Sequence, residues 1–527
     1  MSALSESPFS NSWYKLKKFA AFIGPGIIIS VAFADAGNYS TAVSAGGMFE
    51  YKLLFIIFLS NIFAVILQCL CIKLGTITGL DLAEMCRLHL PYHLNLFMYV
   101  CAELAIIATD LAEVVGTAIA LEILFGIPLV YGVIITVLDV LIVLMAYHKD
   151  GSMKQTRVFE IVVSVLVFAT CLCFILELFK CDFKDGSVGD IFKGFLPFNR
   201  EIYKDANALF LSCGIVGSTV MPHSLYLGSS LVNSRLKDYD IKHGFLRQQV
   251  NEDGLLEENS SIVTTEQPLE ATHNKFRSIS DGTSLARKYK PSYPAIKHCL
   301  NYSYIELCIS LLSIAVFINS AILIVAGCTL YGKPDAEDAD LLSIYEMLSY
   351  YISPAAGLIF ALSMLFSGQS AGIVCTMAGQ IISEGFINWT LQPWIRRIIT
   401  RVLAIVPVVI VILALGREGV SKIMNTSQVI LSFILPVVSA PLIWFTCSKK
   451  LMTVYDYQPS NPNPDENSLL LNHSGEQRAI PSESNNNVRK ITFENGTALT
   501  VGSIISWLII TFLNVYLIYL FSIGVQV

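Results

Sequence analysis

From residue 19 onward the chain alternates long apolar runs with short charged punctuation. The hydrocarbon core of a bilayer is about 30 Å thick, so a helix rising about 1.5 Å per residue needs about 20 apolar residues to cross it. Eleven runs meet that length: 19–45, 53–75, 95–122, 128–147, 158–180, 205–233, 300–330, 353–386, 394–415, 427–447 and 499–522. They are spans 1 to 11 below. In lipid a single segment satisfies its own backbone only as a helix, so the pattern predicts an all-α integral membrane bundle. Spans 1–6 occupy 19–233, spans 7–10 occupy 299–447, and span 11 with a short carboxyl end occupies 499–527. The intervening segments 1–18, 234–298 and 448–498 are polar; the last two are rich in Asn, Ser, Glu and Lys and predicted to be largely disordered.

Composition sharpens this reading. Charged residues make up 14% of the 527, hydrophobic ones 54%, and mean hydropathy is +0.61. A soluble globular chain carries about 25% charged residues, so a soluble enzyme, a nucleic-acid binder and a disulfide scaffold are excluded. The net charge of −6 comes without a basic arm or acidic block. The thirteen cysteines sit mostly inside apolar runs, with no CxxC pair, and read as packing residues. Span 1 imitates a signal peptide, with Lys15, Lys17 and Lys18 ahead of it and Ala32-Phe33-Ala34 as a cleavage-like site. Gly24-Pro25-Gly26 interrupts its apolar core, however, and it is read as an uncleaved span.

Lys and Arg bias sets orientation. The basic amino terminus, the loop with Lys149, Lys154 and Arg157, the segment at Arg396 and Arg397, and Lys449-Lys450 all fall on one side. The acidic loop from Asp335 to Asp340 falls on the other. The amino terminus and the segments 234–298 and 448–498 are therefore expected in the cytosol, and the carboxyl terminus outside. The Asn-x-Ser/Thr triplets at Asn259, Asn472 and Asn495 then face the wrong side for glycosylation.

An ionisable side chain inside a bilayer is costly, which makes each one a functional candidate. The candidates are Asp35, Glu103, Asp110, Glu113, Asp139 and His223. For an isolated residue such as Asp139, an interhelical hydrogen bond that holds the bundle together is the favoured role. Asp35 and His223 differ in their company: span 1 reads Asp35-Ala-Gly37-Asn38 and span 6 reads Ser218-Thr-Val-Met221-Pro222-His223. Each sets a helix breaker beside ligand-type side chains in mid-membrane. Paired broken helices five spans apart point to a central binding site in an inverted repeat of five plus five helices.

Pro222 lacks an N–H and so frees the carbonyl four residues back, that of Ser218. The site then offers a carboxylate (Asp35), an amide oxygen (Asn38), a bare carbonyl (Ser218) and a thioether (Met221). Oxygen ligands suit hard cations and a thioether favours softer metals, so a first-row divalent ion such as iron(II) or manganese(II) fits the set. Met221 alone would read as core packing.

At these residues the chain resembles the Nramp (natural resistance-associated macrophage protein) family of divalent metal transporters, in its fungal vacuolar-type branch. The family's Asp-Pro-Gly-Asn is matched by Asp35-Ala-Gly-Asn38, and its Met-Pro-His by Met221-Pro-His223. Its Gly-Gln-Ser run ending in Glu-Gly is matched by Gly368-Gln369-Ser370 through Gly379-Gln380 to Glu384-Gly385. The resemblance implies a LeuT-like fold with an eleventh helix, no enzymatic activity, and proton-coupled import of ferrous iron and manganese into the cytosol. It implies no resident cofactor, since metal and protons are cargo. By position it implies Asp35, Asn38, Met221 and the carbonyls of Ala32 and Ser218 as metal ligands, joined by Gln428 in an occluded state. It implies a proton route through His223, Glu103, Asp110, Glu113, Arg396 and Arg397. One residue departs from the pattern: Ala36 stands where the family has proline. Its amide is expected to keep bonding the Ala32 carbonyl, leaving span 1 less fully unwound.

The span 3 acids also read without the family. Asp110 and Glu113 are i,i+3 neighbours and Glu103 lies two turns earlier on the same stripe. In an otherwise apolar helix that stripe faces the bundle, where clustered acids can hold and pass protons or simply pair with Arg396 and Arg397. Two rival functions remain: a receptor that uses such a core without transport, and a magnesium transporter, against which Met221 argues. In the 448–498 segment Asp465-Glu-Asn-Ser-Leu469-Leu470 fits an acidic dileucine sorting signal read by an adaptor, favouring a vacuolar or lysosome-type membrane over the plasma membrane.

Overall fold

The structure is a computed structural model that describes residues 25–33, 35–136, 153–181, 183, 187–197, 204–245, 289–332, 341–388, 393–457 and 488–524. Segment 1–18, Asp139, the end of span 4, the acidic 335–340 loop, Asn259, Asn472, and Asp465, Leu469 and Leu470 lie outside the described residues. Among the described residues, eight helices are long and apolar enough to cross a bilayer: Leu54–Thr78, Tyr92–Phe125, Ala206–Lys242, Tyr293–Leu330, Pro354–Ile387, Ile395–Gly416, Gly419–Cys447 and Thr497–Ser522. These are spans 2, 3, 6, 7, 8, 9, 10 and 11. Span 5 is the helix Met153–Lys180, and span 4 is helical over its described part, 129–136. Span 1 comes as two short helices, Pro25–Ala32 and Ala36–Phe49, and span 6 is likewise divided, at Met221.

Burial orders the bundle. In its most apolar stretch span 6 is 94% buried, whereas spans 9 and 11 are each only 22% buried. The two broken spans therefore form the centre, and spans 9 and 11 present apolar faces outward, as lipid contact requires. Spans 3 and 8 pack on each other, the second half of span 1 packs on span 7, and the second half of span 6 packs on span 2. Small residues permit the close approaches: a Cβ on Gly46 would stand 2.6 Å from the Leu323 carbonyl oxygen, and one on Gly75 would stand 1.9 Å from that of Ser229.

Three features depart from the sequence reading. Span 6 continues to Lys242, past its expected end at 233. Asp240, buried there, accepts from the Tyr289 hydroxyl and the Ser292 amide, which ties the end of span 6 to the start of span 7. Burial and the bond to Asp240 push the Tyr289 phenol well above its ordinary range. Next, segment 448–498 is ordered at both ends. Strand β1 (Thr453–Tyr457) pairs antiparallel with β2 (Val488–Thr492), Thr453 opposite Thr492 and Tyr457 opposite Val488. The β-branched and aromatic residues of Thr-Val-Tyr-Asp-Tyr favour a strand, and pairing with a remote segment makes it one. Asn495 sits just beyond, its side chain accepting from Lys73 Nζ at 3.0 Å and donating to Thr446 Oγ1 at 2.9 Å. Lastly, the short helices Leu82–His89, Ser187–Gly194 and Leu341–Met347 stand in connections that the apolar pattern leaves without structure of their own.

Candidate functional site

The break in span 1 is built by a cap. Asp35 is extended (φ −83°, ψ 173°) and its Oδ1 accepts from the Asn38 amide at 2.9 Å. Asp is a preferred N-cap because its side chain satisfies an amide that the helix cannot. On the other side of the break the Phe33 carbonyl accepts from Asn319 Nδ2 at 2.9 Å. The expected residual bond from the Ala36 amide to the Ala32 carbonyl is absent among the described residues: the first helix stops at Ala32 and the second starts at Ala36. With Asp35 extended and capping the second helix, the break forms without proline.

The break in span 6 is built by strain and proline. Met221 has φ 39°, a left-handed backbone that a side chain rarely tolerates, and its amide bonds the Gly217 carbonyl at 3.2 Å. Pro222 then starts the second helix, where its missing N–H costs nothing. Ser224 Oγ ties the turn by donating to the Met221 carbonyl at 2.8 Å, and Gln68 holds Ser224 at 2.8 Å.

The two breaks meet. Asn38 Nδ2 donates to Asp35 Oδ1 at 3.1 Å and to the Ser218 carbonyl at 3.2 Å. The freed carbonyl predicted from Pro222 is thus present, with one side-chain amide across it. Thr41 Oγ1 lies 3.4 Å from Ser218 Oγ. Span 10 closes the third side. A Cβ on Gly37 would meet Gln428 Nε2 at 2.3 Å and Oε1 at 2.7 Å, and one on Gly217 would meet the Gln428 carbonyl oxygen at 2.0 Å. Glycine at both positions lets Gln428 lie against both breaks. Asp35, Asn38, Met221 and Gln428 are all buried. Two oxygens here, Asp35 Oδ2 and Gln428 Oε1, have no hydrogen-bond partner. Asp35, Asn38, Ser218 and Gln428 are therefore brought together, while Met221 and Ala32 stand at the breaks themselves. Among the described residues no three His, Cys, Asp or Glu side chains cluster as metal ligands; this donor set has one carboxylate and is completed by amide, carbonyl and thioether groups.

Beside it runs a ladder of ion pairs between spans 3 and 9. Arg396 grips both carboxylate oxygens of Glu103, at 2.7 and 2.8 Å. Arg397 holds Asp110 at 2.6 Å to each oxygen, and Arg401 holds Glu113 at 3.0 Å. Cross-links of 3.7 Å join Arg397 to Glu113 and Arg401 to Asp110. Three acids thus face three arginines, so they balance charge rather than repel one another. Span 8 accommodates them: a Cβ on Gly372 would meet Glu113 Oε1 at 2.1 Å, and one on Gly379 would meet Arg396 at 2.2 Å. His223, buried on the second half of span 6, lies 3.3 Å through Nδ1 from Thr109 Oγ1, next to Asp110 in span 3. The sequence reading missed Arg401, Thr109 and Asn319. Arg401 had a signal, standing one helical turn beyond Arg397; the other two are ordinary polar residues that gain meaning only from what they touch.

Helices broken at matching places in the two halves, meeting at buried oxygens, define a transporter of the LeuT-like inverted-repeat class. Residues 26–460 match the family described as natural resistance-associated macrophage protein-like, Nramp. Similar proteins include the iron transporter SMF3 of Saccharomyces cerevisiae, 54% identical over 513 residues, 97% of this chain and 98% of that one. The manganese transporter SMF1 of the same yeast is 46% identical over 510 residues, 95% of this chain and 85% of that one. A crystal structure of a mutant manganese transporter of Eremococcus coleocola superposes with a TM-score of 0.70 at 26% identity, covering 100% of this chain and 91% of that chain. The chain belongs to the Nramp family, in its fungal branch, and is a multi-pass membrane transporter rather than an enzyme.

Proposed function

We propose that the protein carries ferrous iron and manganese into the cytosol, driven by protons moving the same way. The observation that supports this most is the pair of orphaned oxygens at the meeting of the two breaks, Asp35 Oδ2 and Gln428 Oε1. A buried acceptor with no donor is unfavourable unless a cation supplies the missing charge. Asp35 would provide the negative charge, with Gln428, the Ser218 and Ala32 carbonyls and the Met221 thioether completing the shell. Asn38 would turn its amide, withdrawing the NH2 group from Ser218 and offering Oδ1. The thioether adds nothing for magnesium or calcium and something for iron and manganese, in keeping with the iron and manganese named for the yeast relatives.

Protons would pass by His223 and the span 3 ladder of Glu103, Asp110 and Glu113. Protonating one acid releases its arginine, Arg396, Arg397 or Arg401, and so couples a proton to a movement of span 9 against span 3. With the amino terminus cytosolic, as the loop charges favour, and a vacuolar address from Asp465, Leu469 and Leu470, the direction is out of the vacuole. The test is manganese uptake into proteoliposomes with and without an inward proton gradient. Uptake stimulated by the gradient is expected; metal binding without uptake would favour a receptor, and uptake indifferent to the gradient would remove coupling.

A further inference from the structure

Among the described residues, Glu177 alone is a carboxylate with both oxygens buried and without any hydrogen-bond partner. It lies near the end of span 5, on the face formed by Val167, Thr170, Phe174 and Cys181, all buried at helical spacing. Phe174, one turn away, packs on Tyr39 with ring centroids 5.5 Å apart. Tyr39 in turn packs on Phe360 at 5.9 Å, reaches Ser363 Oγ at 3.4 Å, and bonds the Asp35 carbonyl through its amide. Asp35 and Tyr39 are one turn apart on one helix, Phe174 and Glu177 one turn apart on another, and the Tyr39–Phe174 contact joins the two pairs, with Phe360 against Tyr39.

Among the described residues no cation pairs with this acid, and Lys180, one turn on, is exposed. Span 5 packs on the first half of span 1 and on spans 7 and 8. Residues 25–32, 309–327 and 354–372 of those spans carry no ionisable side chain. The titratable groups that face it among the described residues are the Tyr39 phenol and the Cys173 thiol one turn back. A lone carboxylate anion in such a place has a desolvation cost that nothing offsets, whereas a neutral acid is tolerated there.

We propose that Glu177 is a proton-loading site on the non-cytosolic side of Asp35, filled while the Tyr39–Phe174–Phe360 contact is closed and exchanging when it opens. This rests on the proton-coupled reading above. The test compares Glu177→Gln, which copies the protonated acid in shape and charge, with Glu177→Asp, which can still titrate. Manganese binding by calorimetry should be unchanged in both, which also shows that both fold. In proteoliposomes Glu177→Gln should lose the acid stimulation of uptake, and Glu177→Asp should keep it with a shifted pH midpoint. A Glu177→Gln profile identical to that of an acid-stimulated wild type overturns this inference alone, since a merely structural neutral acid would tolerate Gln. A wild type with no acid stimulation overturns the coupled reading and this inference together.

Discussion

Asp35 divides its two oxygens between structure and chemistry. Oδ1 caps the second half of span 1, and Oδ2 is left bare at the site. Asp35→Ala should therefore abolish manganese binding, measured by calorimetry, while the cap loss costs about 0.5–2 kcal/mol and leaves the bundle folded. In the proposed ligand set Met221 would be the soft member. Met221→Ala should weaken discrimination against calcium more than it weakens manganese transport, measured as calcium competition in a manganese uptake assay. Unchanged competition would make Met221 a packing residue. The two breaks at Asp35 and at Met221-Pro222, and the meeting of Asn38 with Ser218, were legible in the sequence because a helix breaker beside polar ligand-type atoms is costly in an apolar span and so marks a candidate site. Asn319, Thr109 and Glu177 were not. A buried Asn or Thr is common in a span, and an acid near a helix end reads as interfacial until burial shows that it lacks partners.

The elements divide into those that a local pattern determines and those that a distant partner determines. Spans follow from apolar length alone, and the break in span 6 from Pro222. The break in span 1 was expected to be incomplete at Ala36, because a missing proline was weighed more heavily than the cap that Asp35 supplies. Ala36→Pro should accordingly leave manganese affinity unchanged in calorimetry; a marked tightening would mean that the Ala32 carbonyl is still engaged in solution. The β1–β2 pair escaped sequence reading because its strands are far apart in the chain and register exists only once they meet. In the ladder, each span 3 acid has a span 9 arginine, so removing one charge should affect coupling before binding. Asp110→Asn should flatten the pH dependence of uptake and retain manganese binding. Loss of binding with an intact pH response would move the proton route elsewhere.

At the scale of the whole molecule, two five-helix halves bring their breaks together at one buried point, and span 10 covers it with Gln428. The peripheral spans 9 and 11 face lipid, which leaves span 9 free to carry arginines on its inner face only. Address is separate from this machinery. Replacing Leu469 and Leu470 by alanine should shift the protein from the vacuole toward the cell surface under fluorescence microscopy, with uptake per molecule unchanged; unaltered localisation would make the dileucine match an accident of composition. On the proposed function the metal rides between the two breaks. The most direct measurement is anomalous diffraction from crystals of the protein with manganese bound. One peak is expected within coordination distance of Asp35 Oδ2, with Gln428 Oε1, the Ser218 carbonyl and the Met221 sulfur around it and the Asn38 amide turned. A peak away from Asp35, or one that persists there in Asp35→Ala, would contradict it.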